Sequence, residues 1–252
     1  MENWSVQMRN VIVTGASRGL GLAIATTLAG AGYCVIGIAR QESSEFRAAA
    51  TALASKGQAG ALHFEGFDLE NIRGIAALMA AVRKQYGAIY GLVNNAGIGT
   101  SGVLSNMRLE DIERLTRINL NAPIVLCKYA LRSMMIERAG RIVNMASITA
   151  TTGYSGLSVY AATKAALLGL TRSLSREVGQ LDITVNAVAP GFISTEMTAE
   201  LDGPQREKIA HRSALRRLAD PADVAAAVQF LISDQGRNIT GTTLTVDAGS
   251  TA

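Results

Sequence analysis

The chain has few of the residues that build metal sites and disulfide frameworks. Of its 252 residues, two are cysteines, Cys34 and Cys127, which lie in apolar surroundings without a Cys-x-x-Cys pair. Its two histidines, His63 and His211, have no partners at ligand spacing, so structural roles are expected for them and no metal is predicted. We interpret the cysteines as core thiols in a reducing compartment.

Long hydrophobic runs and clustered charge are also absent. No apolar run approaches the roughly 18 residues of a membrane span, and the polar first ten residues do not resemble a signal peptide. Lys and Arg outnumber Asp and Glu by 24 to 20, but these charges are scattered, which argues against a nucleic-acid partner. The expectation is a cytoplasmic protein with no membrane or nucleic-acid partner.

The chain alternates between short β-branched runs and longer segments rich in alanine and leucine. Strands are predicted at 10–14, 34–39, 61–67, 89–93, 140–146, 183–189 and 242–247. Helices are predicted at about 20–31, 44–56, 70–86, 109–137, 159–179 and 221–233. Apolar strands alternating with helices indicate βαβ units and a parallel sheet that is covered on both faces.

One domain is predicted for the whole chain, residues 1–252, because 48% hydrophobic residues can bury one large core and no composition break divides it. The fold class is therefore α/β, with a doubly wound parallel sheet of seven strands. The connection at 191–220 is too long for an ordinary loop, so we predict a substrate lid with short helices of its own there.

A glycine-rich turn follows the first predicted strand, in the segment VTGASRGLGLAIA. Gly15, Gly19 and Gly21 at this place let the backbone bend tightly and approach a pyrophosphate, which rests on amide groups at the helix N-terminus. Helix packing explains a lone glycine-rich turn about as often. The position between a strand and a helix favours a dinucleotide.

The second predicted strand ends with Ala39 and Arg40 instead of an acidic residue that would bond a ribose hydroxyl. Arg18 lies inside the glycine-rich turn. Two guanidinium groups near the adenosine ribose fit a 2′-phosphate, so NADP(H) is predicted, although both could be surface charges. Asp68 either meets the adenine amino group or caps the following helix, and the two roles are weighed equally.

A tyrosine and a lysine lie four residues apart in the segment SVYAATKAALLGL. A free phenol has a pKa of about 10, so work near pH 7 asks for about 4 kcal/mol of stabilisation of the phenolate. Because residues i and i+4 share a helix face, Lys164 is predicted to lower the pKa of Tyr160. The plain alternative is a hydrophobic stripe that Tyr160 caps and from which Lys164 reaches solvent.

Two further polar residues belong to the same set. Ser147 ends the fifth predicted strand, at the sheet edge where ligands bind, and would donate to a substrate carbonyl; an ordinary turn serine is the alternative. Asn119 lies in a long predicted helix although asparagine is a mediocre helix former; a plain polar residue on a helix face is the alternative there.

These motifs resemble the short-chain dehydrogenase/reductase superfamily along nearly the whole chain, and 3-oxoacyl-acyl-carrier-protein reductases most of all. The similarity is carried by TGASRGLG, NNAG (94–97), INLNAP (118–123), GRIVNMAS (140–147), YAATK (160–164) and APGFISTEM (189–197). It implies a single-domain Rossmann fold and the catalytic residues Asn119, Ser147, Tyr160 and Lys164. It also implies that Asn119 kinks its helix and anchors a water that relays protons to Lys164.

The same resemblance implies the cofactor contacts. Lys164 is expected to bond the nicotinamide ribose, and the NNAG motif to pack on the adenosine and hold the central sheet. The full set is Gly15, Ser17, Arg18, Gly19, Leu20, Gly21, Arg40, Asp68, Leu69, Asn94, Ala96, Gly97, Tyr160, Lys164, Pro190, Gly191, Ile193 and Thr195.

The implied function is NADPH-dependent reduction of a ketone to a secondary alcohol, first of all a 3-oxoacyl thioester of acyl carrier protein or coenzyme A. The alternatives are an NADP-dependent dehydrogenase of a free secondary alcohol, such as a steroid, polyol or hydroxy acid, and a non-catalytic NADP-sensing protein. Resemblance also implies a homotetramer built on the helices at 109–137 and 159–179 and on the C-terminal strand.

The chain departs from those reductases beside the substrate. It reads IGTSG at 98–102, small and uncharged, where they usually carry a charged stretch. Arg138 fits their basic docking surface for an acidic carrier protein, but Leu181 is apolar where they are often basic. Carrier protein, coenzyme A ester and free ketone therefore all remain open.

Overall fold

One parallel sheet forms the centre of the molecule in the computed structural model, which describes residues 8–55, 60–99, 102–193 and 203–252. The side chains of 203–206 are not described. Within these ranges the strands are β1 (Asn10–Thr14), β2 (Cys34–Ala39), β3 (Ala61–Gly66), β4 (Ile89–Asn94), β5 (Gly140–Met145), β6 (Ile183–Pro190) and β7 (Thr243–Val246). Their order across the sheet is β3-β2-β1-β4-β5-β6-β7.

The strands form where the sequence has continuous apolar runs. Every residue of β1, β4, β5 and β6 is buried, as expected of parallel strands that are covered on both faces. The two edge strands, β3 and β7, are only partly buried. The predicted strands are confirmed, with their ends within one residue of those observed.

Helices cover both faces of the sheet. They are α1 (Gly19–Gly30), α2 (Ser44–Ser55), α3 (Ile75–Tyr86), α4 (Leu109–Thr116), α5 (Ala122–Glu137), α6 (Ser158–Val178), α7 (Gly203–Arg212) and α8 (Pro221–Ile232). One core cluster packs α1 and α8 against the sheet, through Ile24, Leu28 and Val228 among others. A second cluster packs α3, α5 and α6 on the opposite face, so the predicted doubly wound α/β architecture is confirmed.

Two predicted helices differ from the observed ones. The helix predicted at 70–86 begins instead with a 3-10 turn, Ile72–Gly74, because the Asn71 side chain accepts the Gly74 amide at 3.1 Å and closes a tighter turn. The helix predicted at 109–137 is interrupted between α4 and α5 by a π-helical segment, Arg117–Asn121. A π-bulge of this kind is frequent at functional sites.

The cysteines and His63 take the structural roles that the sequence predicted. Both cysteines are buried, and the His63 ring packs on Tyr86 with ring centroids 5.0 Å apart. Among the residues that the structure describes, no helix combines the length and apolar character needed to cross a membrane. The same residues contain no group of three or more His, Cys, Asp or Glu placed to hold a metal ion.

The strand order reverses between β1 and β4, because the chain runs from β1 to the β3 edge and then returns to the other side of β1. In open parallel sheets this reversal creates a crevice at the carboxyl ends of the strands, where ligands bind. The loops that follow β1, β4, β5 and β6 all open at this edge.

Candidate active site

The turn from β1 into α1 requires glycine at two places. Gly15 has φ +67°, and a Cβ there would lie 2.9 Å from the Cα of Ala96. A Cβ on Gly21 would lie 2.1 Å from the Gly15 carbonyl oxygen. The backbone therefore comes close enough to form a cradle of the kind that holds a pyrophosphate at a helix N-terminus.

The NNAG segment is fastened to the end of β1 by Thr14. The Thr14 hydroxyl oxygen accepts the amides of Asn95 and Ala96 at 3.0 and 2.9 Å, and the Asn95 side chain donates to the Thr14 carbonyl at 2.9 Å. Sequence reasoning missed Thr14, although a hydroxyl at the end of an apolar strand was visible. These bonds fix Ala96 and Gly97 beside the glycine-rich turn.

The sequence predicted that Asn94 lies after the fourth strand, but Asn94 is the last residue of β4. Its side chain donates to the Asn144 side chain at 2.8 Å and to the Cys127 sulfur at 3.3 Å. Asn144 in turn donates to the Thr171 hydroxyl on α6 at 2.9 Å. The Asn94 side-chain amide therefore holds β4, β5 and α6 together, as predicted for the central sheet, while its buried Oδ1 has no hydrogen-bond partner among the described residues. Its contact with the adenosine stays a prediction.

Two arginines lie at the other end of the glycine-rich turn. Arg18 occupies the N-cap position of α1 and Arg40 directly follows β2; both are exposed. The Ser43 hydroxyl donates to the Ser17 carbonyl and so ties this turn to the start of α2. Hydrogen bonds from its own backbone amide and from neighbouring hydroxyls lower the pKa of Glu45, with a smaller effect of the Arg18 charge. The Gly15 amide donates to the Ile38 carbonyl at 2.8 Å, so the turn that carries Arg18 lies beside the end of β2 that Arg40 follows.

The residues after β3 take local structural contacts. Asp68 accepts the Glu70 amide at 3.0 Å, and Asn71, not Asp68, caps the 3-10 turn that precedes α3. The helix-cap role considered for Asp68 is therefore wrong, because that cap falls on Asn71. Leu69 is 8% exposed and its side chain belongs to the core.

Lys164 is buried on α6, with 4% of its surface exposed. Its Nζ donates to the Met145 carbonyl at 2.7 Å and lies 5.7 Å from the centroid of the Tyr160 ring. Burial lowers the pKa of Lys164 to about 8, because the charged form loses its hydration. The two side chains that the sequence paired do lie together.

The pKa of Tyr160 moves in the direction opposite to the predicted one. Burial raises it above the ordinary value of 10.0, and a hydrogen bond with the Ser147 hydroxyl opposes that rise. The prediction considered the charge of Lys164 but not the hydration that the phenolate loses on burial, which is the largest effect on this pKa. The phenol is therefore protonated at neutral pH.

Ser147 lies two residues after the end of β5, at the carboxyl edge of the sheet. Its hydroxyl oxygen accepts the Thr149 amide at 3.2 Å and the Thr149 hydroxyl at 3.0 Å. Sequence reasoning placed Ser147 at this edge but missed Thr149. A serine followed two residues later by threonine was the available signal, since this spacing is typical of a side-chain turn.

Asn119 lies in the π-helical segment and joins two parts of the site. Its side chain donates to the Ile98 carbonyl at 2.9 Å and accepts the Ile98 amide at 2.9 Å. It also donates to the Thr163 hydroxyl on α6 at 3.3 Å. Asn119 thus holds the loop after NNAG against the helix that carries Tyr160.

Gly97 lies in the loop that follows β4, next to Asn119 and Lys164. A Cβ there would lie 3.3 Å from the Asn119 Oδ1 and 3.5 Å from the Lys164 Nζ. Both polar atoms therefore lie close to the backbone of this glycine. The glycine cradle, the backbone at Gly97 and the two arginines are the groups in this region that fit a nicotinamide dinucleotide.

The predicted nicotinamide contacts lie at the end of β6. Pro190 is its last residue, the Gly191 amide donates to the Val246 carbonyl at 3.0 Å, and Ile193 is 6% exposed and pairs with Ala219. Thr195 lies outside the described residues, as does the part of the predicted lid at 194–202. The described remainder of the lid contains α7, in agreement with short helices there.

Apolar side chains lie in the loops after NNAG, before α6 and after β6. The rings of Tyr154 and Phe192 meet edge to face, with centroids 5.6 Å apart. The Gly102 amide donates to the Gly156 carbonyl at 3.0 Å and joins the loop after NNAG to the loop before α6. Val103 and Leu104 follow Gly102 in this loop and are 53% and 55% exposed. We refer to Tyr154, Phe192, Val103 and Leu104 as the apolar rim.

Comparison with known proteins agrees with the site. A family model described as Enoyl-(Acyl carrier protein) reductase matches residues 15–251. The chain belongs to the short-chain dehydrogenase/reductase superfamily. It is an oxidoreductase of that superfamily, which replaces the alternative of a non-catalytic sensor.

Particular relatives are similar over almost their whole length. The chain is 42% identical to the 3-oxoacyl-[acyl-carrier-protein] reductase FabG of Vibrio cholerae, over 94% of this chain and 95% of the relative. It is 41% identical to FabG of Escherichia coli over the same shares. A crystal structure of a proposed gluconate dehydrogenase from Agrobacterium tumefaciens superposes with a TM-score of 0.90, at 27% identity, covering 96% of this chain and 95% of that one.

Proposed function

We propose that the protein uses NADPH to reduce a ketone to a secondary alcohol, and that its substrate is a 3-oxoacyl thioester. The observation that carries the proposal is the meeting of Ser147, Tyr160 and Lys164 at the carboxyl edge of the sheet, beside a glycine cradle. The names of the relatives that are about 40% identical support the thioester.

The cofactor assignment rests on charge at one end of the cradle. Arg18 and Arg40 supply two guanidinium groups where a 2′-phosphate would lie, and the residue after β2 is basic instead of acidic. Lys164 and the backbone around Gly97 would hold the nicotinamide ribose. When bound there, NADPH supplies the hydride that reduces the substrate carbon.

Tyr160 is the proton donor in this proposal. The phenol is protonated at neutral pH because burial raises its pKa, and a protonated phenol is the form that gives a proton to the substrate oxygen. Ser147 donates a hydrogen bond to the same oxygen while negative charge develops on it. The proton moves from the Tyr160 oxygen to the substrate oxygen, which leaves an alcohol and a phenolate.

Lys164 stabilises the phenolate that this transfer leaves. Its ammonium lies 5.7 Å from the centroid of the Tyr160 ring, in a desolvated environment where charges interact more strongly than in water. With a pKa of about 8, it carries its charge at neutral pH. The Met145 carbonyl and the loop held by Asn119 keep the ammonium in place.

The apolar rim is consistent with an acyl substrate. Tyr154, Phe192, Val103 and Leu104 offer apolar contact area but no charge to bind a polar substrate arm. Arg138 is exposed and supports an acidic carrier protein as the source of the thioester, while half-buried Leu181 adds no charge to that surface. We therefore propose acyl carrier protein or coenzyme A as the carrier.

A free secondary alcohol is the second candidate substrate. It is favoured by the structural similarity to a proposed gluconate dehydrogenase and by the uncharged sequence at 98–102. In this case the same residues would act in the direction of oxidation, with Tyr160 accepting the proton.

A panel of candidate substrates distinguishes the two proposals. The purified protein is given NADPH with acetoacetyl thioesters of coenzyme A and carrier protein, a crotonyl thioester and a panel of free ketones, and the loss of NADPH absorbance is followed. We expect the 3-oxoacyl thioesters to have the highest kcat/KM. Turnover confined to free ketones would favour the second candidate, and turnover confined to the crotonyl thioester would refute carbonyl reduction.

We further propose a homotetramer. On α5, Ile124 and Met135 are 42% and 49% exposed and lie eleven residues apart, about three helical turns, so they share one face. Exposed apolar side chains grouped on one helix face are typical of an interaction surface. The family resemblance also supports an interface on this helix.

A further inference from the structure

Thr149 contacts the hydroxyl of Ser147 through two groups. Its amide and its side-chain hydroxyl both donate to the Ser147 oxygen, at 3.2 and 3.0 Å. Thr149 is itself 6% exposed, so its hydroxyl is shielded from bulk water. This arrangement lies directly at the end of β5, beside Tyr160.

A serine hydroxyl has one proton to donate and two lone pairs that accept. In this structure Thr149 occupies both lone pairs of Ser147. The remaining capacity of Ser147 is its own proton, which must point to an acceptor on the open side of the site. The acceptors there are the Tyr160 oxygen and the carbonyl oxygen of a substrate.

We propose that Thr149 is a positioning residue that keeps Ser147 a hydrogen-bond donor toward Tyr160 and the substrate oxygen. The inference rests on the proposed ketone reduction, in which the substrate oxygen needs a donor and Tyr160 must keep its proton for that oxygen. Thr149 does not touch the substrate and acts through Ser147.

Removal of the Thr149 hydroxyl reopens a lone pair on Ser147. The Tyr160 phenol then has an acceptor in Ser147, so its proton turns away from the substrate oxygen. In this competing arrangement, neither the Ser147 hydroxyl nor the Tyr160 hydroxyl donates to the carbonyl oxygen of the substrate. Its effect falls on the chemical step more than on substrate binding, since the apolar contacts of the substrate are unchanged.

A side-chain turn offers a purely structural explanation of the same contacts. In such turns a serine oxygen accepts the amide two residues later and shapes the backbone. That explanation needs the Thr149 amide, which every variant keeps. It does not need the Thr149 hydroxyl, and the two explanations therefore predict different results for a change that removes only this group.

The test compares Thr149→Val and Thr149→Ser with the wild-type protein, using NADPH and acetoacetyl coenzyme A. Valine keeps the shape of threonine without the hydroxyl, while serine keeps the hydroxyl. Thr152→Val is the matched control, because the Thr152 hydroxyl lies in the same segment but donates to the Ile148 carbonyl. The measurements are kcat and KM separately, the solvent deuterium isotope effect on kcat, NADPH binding and thermal unfolding.

We expect Thr149→Val to lower kcat by about two- to ten-fold, the factor that one neutral hydrogen bond carries. KM and NADPH binding should change little, the solvent isotope effect should increase, and Thr149→Ser and Thr152→Val should behave as wild type. A Thr149→Val protein with wild-type kcat, or equal losses in both Thr149 variants, would overturn the inference. A wild-type protein that reduces no carbonyl would instead overturn the proposed function, and this inference with it.

Discussion

Lys164 is the residue in which burial and charge conflict most directly. An amine with 4% of its surface exposed loses most of its hydration, and the Met145 carbonyl replaces only part of it. Burial is also the cause of its lowered pKa. A desolvated ammonium next to a phenol is typical of a site that uses the charge.

The pKa of Lys164 predicts how the reaction depends on pH. A group whose pKa is about 8 is charged below that pH and neutral above it, so kcat/KM for reduction should fall as pH rises through about 8. The measurement is the pH profile of the wild-type protein against that of Lys164→Met. The variant should be slow at every pH and lack this limb; a wild-type profile that rises through pH 8 would contradict the role of the ammonium.

Arg40 decides the choice of cofactor in this account. Arg40→Asp removes a guanidinium from the 2′-phosphate end of the cradle and adds a carboxylate there, so NADPH binding should weaken by at least about ten-fold. NADH binding should change much less. Fluorescence titration with both cofactors measures this, with Arg83→Asp, an exposed arginine on α3, as the control. Equal losses for NADPH and NADH would refute the phosphate assignment.

At the scale of elements, the π-helical segment directs the Asn119 side chain toward the site. Asn119 is 1% exposed and serves both the amide and the carbonyl of Ile98, so this segment binds the loop after NNAG to the helix layer. A regular α-helix through 109–137 would rotate the following residues by a different angle. The irregular turn therefore sets the position of Gly97 relative to Lys164.

Asn119→Ala should loosen this connection. It leaves the backbone groups of Ile98 without their partner, and an unsatisfied buried group costs about 1–3 kcal/mol. Urea unfolding measures the loss, and NADPH binding should weaken in parallel because Gly97 moves. Asn121→Ala is the control, since Asn121 lies in the same segment but is exposed. A stability loss equal to that of the control would show that the Ile98 bonds contribute nothing.

The sequence predicted elements well where the signal was local. Alternating apolar runs and helices gave the strands and both helix layers, because a parallel sheet buries its strands on both faces. The 3-10 turn at Ile72–Gly74 is capped by one side chain, Asn71, and the π-helical segment carries Asn119, whose partner Ile98 is 21 residues away in sequence. Neither contact changes the hydrophobic pattern.

The site was predictable in part for the same reason. The spacing of Tyr160 and Lys164 is a local helix property, and the structure does bring these two residues together. The direction of the Tyr160 pKa shift was not predictable, because it depends on how far the fold buries the phenol. Thr14 and Thr149 each left a local signal, but the partners of the Thr14 hydroxyl lie 81 and 82 residues away in sequence, so the folded chain is needed to identify them.

At the scale of the whole molecule, each of the two core clusters supports a different part of the active site. One cluster packs α1 and α8 on one face of the sheet and supports the glycine-rich turn; the other packs α3, α5 and α6 and supports Lys164. The active-site side chains thus depend on both layers being in place. An interface on the outer face of α5 would add support to the second layer.

Assembly is tested on that outer face. Ile124→Glu places a charge in the middle of the proposed interface, where burial without a partner is unfavourable, so the tetramer should dissociate into smaller species. Sedimentation velocity measures the change, with Thr51→Glu on exposed α2 as the control. A wild-type protein that sediments as a monomer would contradict the proposal.

The most direct test of the account is Tyr160→Phe, which removes one oxygen atom from the proposed proton donor. NADPH consumption with acetoacetyl coenzyme A and NADPH binding by fluorescence are measured on the same preparations. We expect kcat to fall by at least about 100-fold, the contribution of a general acid, while NADPH binds as before. A variant that reduces the thioester at the wild-type rate would contradict it.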